Sequence, residues 1–226
     1  HQIEGWSGFD LGTWLSKAAG RPAYVENDAN AASLGEASFG AGRGFDPVFY
    51  VTLGSGVGGG LAVGGRIYHG AAPGESEIGH VRLDREGTIV EHRCSGWAVD
   101  RKIRERAVAG SPLRQLIGSD TRGEGRHLAR ALEMKDPIAA EILAETAEDL
   151  AFGLSHVVHL VHPEVIVLGG GLALVGEPLR QAVAGTLPGL IMEVFGRGPE
   201  IRLSSLGEDA VPMGCLLAAQ QRHEGV

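Results

Sequence analysis

The sequence predicts an α/β protein. Three observations carry this reading: apolar, β-branched runs at residues 48–53 (VFYVTL) and 165–168 (VIVL), helical stretches between and around them, and a burst of glycines after each run. A strand that ends in glycines before the next element is the usual place for an α/β chain to hold a ligand.

Composition narrows the classes. The chain has 226 residues, 43% of them hydrophobic, which is enough for a real core. Its net charge of −8 comes without any basic block, which argues against nucleic acid binding through this segment. No apolar run approaches the roughly 20 residues of a membrane span. Cys94 and Cys215 are isolated, without metal or redox spacing, and no signal peptide is evident, so a reducing cytoplasm is expected. The chain opens on His1 rather than Met, with no strand-like start, as if it began inside a longer protein.

Taken in order, residues 13–20 (TWLSKAAG) predict a short helix ended by Gly20, with Asp10 or Thr13 near its start. Residues 21–26 (RPAYVE) predict a short strand, and Asn27 and Asp28 then open an alanine-rich helix. An Asn-Asp pair there either caps the helix or offers a carboxylate and an amide to a substrate hydroxyl; the residues leave both readings open. Residues 40–46 (GAGRGFD) predict a hinge.

The stretch 48–61 (VFYVTLGSGVGGGL) organises the rest. Gly54, Gly56 and Gly59 match G-x-G-x-x-G, but an apolar stretch with a Gly64-Gly65 turn follows where a dinucleotide fold needs a helix, and no Lys-Ser/Thr follows as in a P-loop. The expectation is a phosphate held in a β-hairpin turn by Gly54, Ser55, Gly56, Gly58 and Gly59, with a plain glycine-rich hairpin as the other reading. Residues 69–84 crowd Glu75, Glu77 and His80 into a glycine-rich segment suited to hydrogen bonding a polyol, since two metal ligands without a third make a weak metal site.

Helices are predicted over 97–109 and 125–134. Asp136-Pro137 then starts a long one, with a capping carboxylate and a proline where its missing N–H does no harm. Its apolar stripe runs to Val161, and His156, His159 and His162 fan out near its end rather than converging on a metal. Pro163 stops it. The strand 165–168 runs into Gly169, Gly170 and Gly171, which either seat an adenosine or phosphate or make an ordinary turn before a helix at 176–184. A strand at 201–204 and a helix at 211–222 complete the chain.

Four stretches together resemble the ROK family of repressors and sugar kinases: Glu26 to Ala32 (ENDANAA), Thr52 to Gly60 (TLGSGVGGG), Glu77 to His80 (EIGH) and Pro163 to Gly171 (PEVIVLGGG). The resemblance implies the actin-like (ribonuclease H-like) two-lobed sugar kinase fold, represented here mostly by its C-terminal lobe. It divides the chain into a remnant of the N-terminal lobe at 1–43, the C-terminal lobe at 44–207, and a last helix at 208–226 that returns to the first lobe. It implies a glucokinase-like transfer of the γ-phosphate of ATP, carried with Mg2+, to a hexose hydroxyl at C6. Asp28 would be the general base. Asn27, Glu77, His80 and Glu91 would hold the sugar, the loop at 54–60 the phosphates, and Gly169 to Gly171 the adenosine. A homodimer or homotetramer is the family habit.

Two departures qualify the match. The family's zinc segment, Cys-x-Cys-Gly-x-x-Gly-Cys-x-Glu, is replaced by DREGTIVEHRCSG; aligning Ser95-Gly96 puts Ile89 at the last cysteine and keeps Glu91 as the glutamate, so no zinc is expected. The family's first phosphate loop is missing, because Asp10 lies too close to Asp28 to belong to it. The expectation is a fragment that is weak or dead as a kinase alone. The alternative within the family is a sugar-responsive repressor or a non-catalytic sugar binder.

Overall fold

The computed structural model describes residues 6, 8–71 and 76–224; Glu75 lies outside them. Helix α1 (Leu11–Ala19) is capped by Asp10, whose carboxylate accepts hydrogen bonds from the Thr13 N–H at 2.9 Å and the Thr13 hydroxyl at 2.7 Å. Residues 21–26 form no strand, contrary to the sequence expectation. Pro22 has no N–H to give a ladder, and the Ala23 N–H instead goes to the Ser16 hydroxyl at 2.9 Å. Helix α2 (Asp28–Phe39) follows.

Strands β1 (Val48–Leu53), β2 (Val57–Val63) and β3 (Arg66–Ile67) form an antiparallel meander. Four short helices follow: α3 (Val90–Cys94), α4 (Gly96–Arg106), α5 (Pro112–Ile117) and α6 (Leu128–Glu133). The helix expected over 125–134 opens as a tighter 3-10 turn at Glu124–His127. The long helix α7 (Pro137–Val161) starts where its proline and cap place it, with Asp136 accepting from the N–H groups of Ile138 and Ala139. Strand β4 (Val165–Gly169), a 3-10 turn at Gly171–Val175, α8 (Glu177–Thr186), β5 (Glu200–Leu203) and α9 (Ala210–Glu224) end the chain.

Among the described residues the sheet has five strands in the order β3-β2-β1-β4-β5, with β1, β4 and β5 parallel. Alternation along β1 sorts its side chains: Phe49, Val51 and Leu53 enter the larger core with α3, α4, α7 and α8, while Val48 and Tyr50 face the opposite side with Ala32 of α2 and Ala210 of α9. Helices α2 and α9 thus share a layer on the sheet. They touch closely: a Cβ on Gly35 would lie 3.1 Å from the Gly214 nitrogen.

The segment expected as a hinge is anchored. Buried Glu36 accepts from the Ala41 N–H at 2.7 Å, the Leu206 N–H at 3.0 Å and the Ser204 hydroxyl at 2.5 Å, binding the end of α2 to the approach to α9. Such a carboxylate belongs inside because each oxygen has donors. The three histidines near the end of α7 disperse: His156 Nδ1 lies 3.0 Å from the Phe152 carbonyl, His159 Nε2 accepts from the Met192 N–H at 3.2 Å, and His162 ends the helix in the left-handed conformation.

Candidate active site

The turn between β1 and β2 is a compact loop braced from below. The Gly54 N–H donates to the Gly56 carbonyl at 2.9 Å, and the Gly54 carbonyl accepts from the Gly96 N–H at 2.7 Å, where α4 begins. Glu91 of α3 accepts from the Val57 N–H at 3.0 Å and occupies the space a Gly56 side chain would need, with Oε2 only 2.5 Å from that Cβ position. Ser55 is exposed at the tip. The loop is fixed before any ligand arrives.

The next glycines admit neighbours. A Cβ on Gly58 would meet Thr52 and Ala29 at 3.2 and 3.5 Å, and one on Gly60 would lie 2.9 Å from the Asn30 Cα. On the other side, a Cβ on Gly59 would lie 2.9 Å from Ile78. Gly60 therefore lets the start of α2 settle on the hairpin, Gly58 leaves room for Thr52 of β1, and Gly59 admits the segment carrying Glu77 and His80.

Asn27 caps α2, its side-chain oxygen accepting from the N–H groups of Ala29 (2.9 Å) and Asn30 (3.1 Å), which leaves its amide NH2 as the donor it can offer. Asp28, the first helical residue, is exposed. Glu26 holds this turn: one oxygen accepts from the Asn27 N–H (3.0 Å) and the Asn30 side chain (3.2 Å), while the other lies 2.8 Å from His69 Nε2 and 3.7 Å from Arg222 of α9. Burial opposes the Glu26 charge, but the hydrogen bonds from His69, Asn30 and Asn27 outweigh it and hold the carboxyl below its ordinary value.

Two clefts border the loop. One, of about 510 Å3, is lined by Ser55, Gly56, His80, Glu91, Ser95 and Arg101 among others, and so unites the glycine turn with two of the expected sugar contacts. Asn27, Asp28 and Glu77 do not line it; Glu77 pairs with His80 at 3.4 Å, both side chains largely exposed. The other cleft, of about 340 Å3, is lined by Gly54, Ser55, Trp97, Gly171, Leu172 and Leu174 among others, and joins the two glycine segments. Gly171 opens onto it, with nothing within 4 Å of its Cβ position. Gly169 is packed on the Tyr50 ring, and Gly170, at φ +81°, on the backbone of Leu53.

Sequence reasoning missed the far walls of both clefts. Ser95 caps α4 by accepting from the Ala98 N–H at 3.2 Å, presenting Trp97 and Arg101 on its first turns. Arg101 donates to the His92 carbonyl at 3.0 Å. Asp100 accepts from the N–H groups of Gly123 (3.0 Å) and Gly125 (2.7 Å), fixing the loop that forms one wall of the smaller cleft. The available signal was an aromatic residue directly after the Ser95-Gly96 pair.

The model of the ROK family matches residues 1–222. The chain belongs to the ROK family. Within it the chain is of the glucokinase type: it is 33% identical to a glucokinase of Thermotoga maritima, over 97% of this chain and 73% of that protein. Its fold matches a ROK family glucokinase from Streptomyces griseus, solved in complex with glucose and AMPPNP, with a TM-score of 0.81 and 31% identity over 93% of this chain and 72% of that one. A ROK hexokinase from Thermus thermophilus matches with a TM-score of 0.77 and 30% identity, over 96% and 72%. These matches establish the actin-like α/β architecture for this ROK chain.

Where the ROK zinc segment would run, the backbone closes on itself. Arg82 and Ile89 form an antiparallel bridge, the Leu83 N–H donates to the Thr88 carbonyl at 2.8 Å, and the Val90 N–H donates to the Val81 carbonyl at 3.0 Å. This bridging sets His80 and Glu91, at its two ends, toward one cleft. Among the described residues, no group of three His, Cys, Asp or Glu side chains is placed to hold a metal ion.

Proposed function

We propose that this chain is the site-bearing part of an ATP-dependent hexose kinase that transfers the γ-phosphate of ATP to the C6 hydroxyl of a glucose-like sugar. The observation that carries the reading is the packing of the Asp28 turn on the glycine hairpin whose loop Glu91 braces. It brings the helix turn that opens on the exposed carboxylate of Asp28 against the strand that follows the glycine turn.

Asp28 takes the hydroxyl proton as the sugar oxygen attacks phosphorus, and Asn27, Glu77, His80 and Glu91 hold the remaining hydroxyls. The turn at Gly54, Ser55, Gly56, Gly58 and Gly59 receives the phosphates, and Gly169 to Gly171 border the nucleoside. Phosphoryl transfer asks for positioning and charge neutralisation rather than covalent help, which suits a fixed loop and one aimed carboxylate. Mg2+ belongs to the substrate, carried on the phosphate oxygens of ATP. In this reading residues 1–43 belong to the first lobe, 44–207 to the second, and 208–226 return to the first. The setting is the cytoplasm, and the working form is a homodimer or homotetramer.

The test is direct measurement of labelled sugar phosphate formed from glucose and γ-labelled ATP, for the wild type and Asp28→Ala. The expected result is slow but measurable product from the wild-type chain, weak as a fragment of the kinase, and a loss of about 100-fold or more in the variant, with glucose binding by calorimetry changed far less. Glucose binding without any transfer, both by this chain and by a longer protein carrying the first phosphate loop, would instead support the sugar-responsive repressor. A variant as fast as wild type would remove Asp28 from the mechanism.

A further inference from the structure

The two clefts share only two lining residues, Ser55 and Trp97. Trp97 is the second residue of α4, is 58% exposed and lies on the lining of both clefts. The two sides it divides differ chemically. On one side stand Ser95, His80, Glu91 and Arg101, all groups that hydrogen-bond hydroxyls. On the other stand Leu172 and Leu174, the latter 83% exposed, together with backbone at Gly96, Gly123, Gly125 and Gly171. Asp100, the carboxylate on that side, already accepts from Gly123 and Gly125.

Arg126, the other charged side chain on that wall, ion-pairs with Asp120, and a mostly apolar cleft backed by glycines suits a heteroaromatic ring better than a polyol. Its size of about 340 Å3 lies within the usual range for a small-ligand pocket, roughly 300–1,000 Å3. We propose that the Trp97 indole is the stacking platform for the purine base of the bound nucleotide, with Leu172 and Leu174 closing the slot. This rests on the nucleotide reading given above. The triphosphate then passes over Ser55, the other residue common to both clefts, and brings its terminal phosphate to the polar side where the sugar lies. Trp97 is thereby the residue that makes a nucleotide a better phosphate donor than a bare phosphate chain.

The test uses tryptophan fluorescence and calorimetry on the chain, on Trp97→Phe and on Trp97→Ala, with ATP-Mg2+, inorganic tripolyphosphate and glucose as separate probes. Circular dichroism checks that each variant is folded. ATP is expected to quench the wild-type fluorescence where tripolyphosphate and glucose do not, and Trp97→Phe is expected to lose the quench. Trp97→Ala is expected to bind ATP on the order of tenfold more weakly, with tripolyphosphate affinity unchanged and Trp97→Phe close to wild type. ATP binding of wild-type strength in Trp97→Ala, or a quench by glucose instead, overturns the assignment while leaving the nucleotide site intact. Absence of any ATP binding to the wild type overturns the nucleotide reading, and this proposal with it.

Discussion

Replacing Gly60 by alanine is expected to displace Asp28 while leaving the protein folded. The added Cβ would stand 2.7 Å from the Ala29 carbonyl carbon and 2.9 Å from the Asn30 Cα, where ordinary contact begins at 3.4 Å. These obstacles are backbone atoms of the first turn of α2, so no side chain can swing aside. The turn must lift by close to 1 Å, which overpacking experience puts at about 1–3 kcal/mol of stability. A misplacement of about 1 Å at a reacting group can cost about 100-fold in rate. Urea unfolding and the labelled-product assay measure the two effects, and the loss of transfer should persist at urea-free conditions where the variant is fully folded. Gly185 in α8 is the control: nothing lies within 4 Å of its Cβ position, so alanine there should stabilise by up to about 1 kcal/mol and leave transfer unchanged. A Gly60→Ala variant with wild-type unfolding midpoint and transfer rate would refute the claim that these glycines set the catalytic turn.

The two thiols should separate with a thiol-reactive chromogen: exposed Cys215 reacts in the native protein, slowed because partial burial and the Glu26 charge push its thiol up, whereas Cys94 is fully buried, its thiol pushed up to about 12 by burial and by the Asp149 charge, and reacts only on unfolding. Two fast thiols in the native protein would contradict the packing of α3 on α7. Asp136 should set part of the acid stability. Burial opposes its charge, but donors at Leu113, Ala139 and Ile138 overcome this and lower its value below 3.8. A lowered folded value means the stabilisation is complete above the unfolded value and is lost as pH falls through the folded one. Asp136→Ala should cost about 1–3 kcal/mol at neutral pH, with the gap to wild type narrowing in acid; a gap independent of pH in urea titrations would contradict this.

What the sequence made legible was local. Asp136-Pro137 announces α7 because cap and proline act within one turn, and the runs at 48–53 and 165–168 are apolar enough to be strands in any surroundings. Helices α3 and α5, of five and six residues, are too short to show a helical period. The strand expected at 21–26 failed because its composition suits a sheet while its amide hydrogen-bonds Ser16. The glycines marked the site but not their reasons: what they make room for is Ala29, Ile78, Tyr50 and Leu53, set by the tertiary fold. Trp97 and Asp100 carried no local signal linking them to loops at 54 and 123 that only folding brings near.

The parallel pairing of β1 with β4 also sets a schedule. Val48 lies opposite Val165, so the strand that leads into the glycine turn gains its second neighbour only after more than a hundred further residues have been made. At the roughly 5–20 residues per second of synthesis, that interval lasts on the order of ten seconds. Throughout it β1 has only its hairpin partners, and a small meander of this kind is marginal in water. The cleft bordered by residues 54, 97 and 171 is thus one of the last features to form on the ribosome, and a nascent chain stalled before residue 165 would display an apolar strand edge where the finished protein has β4.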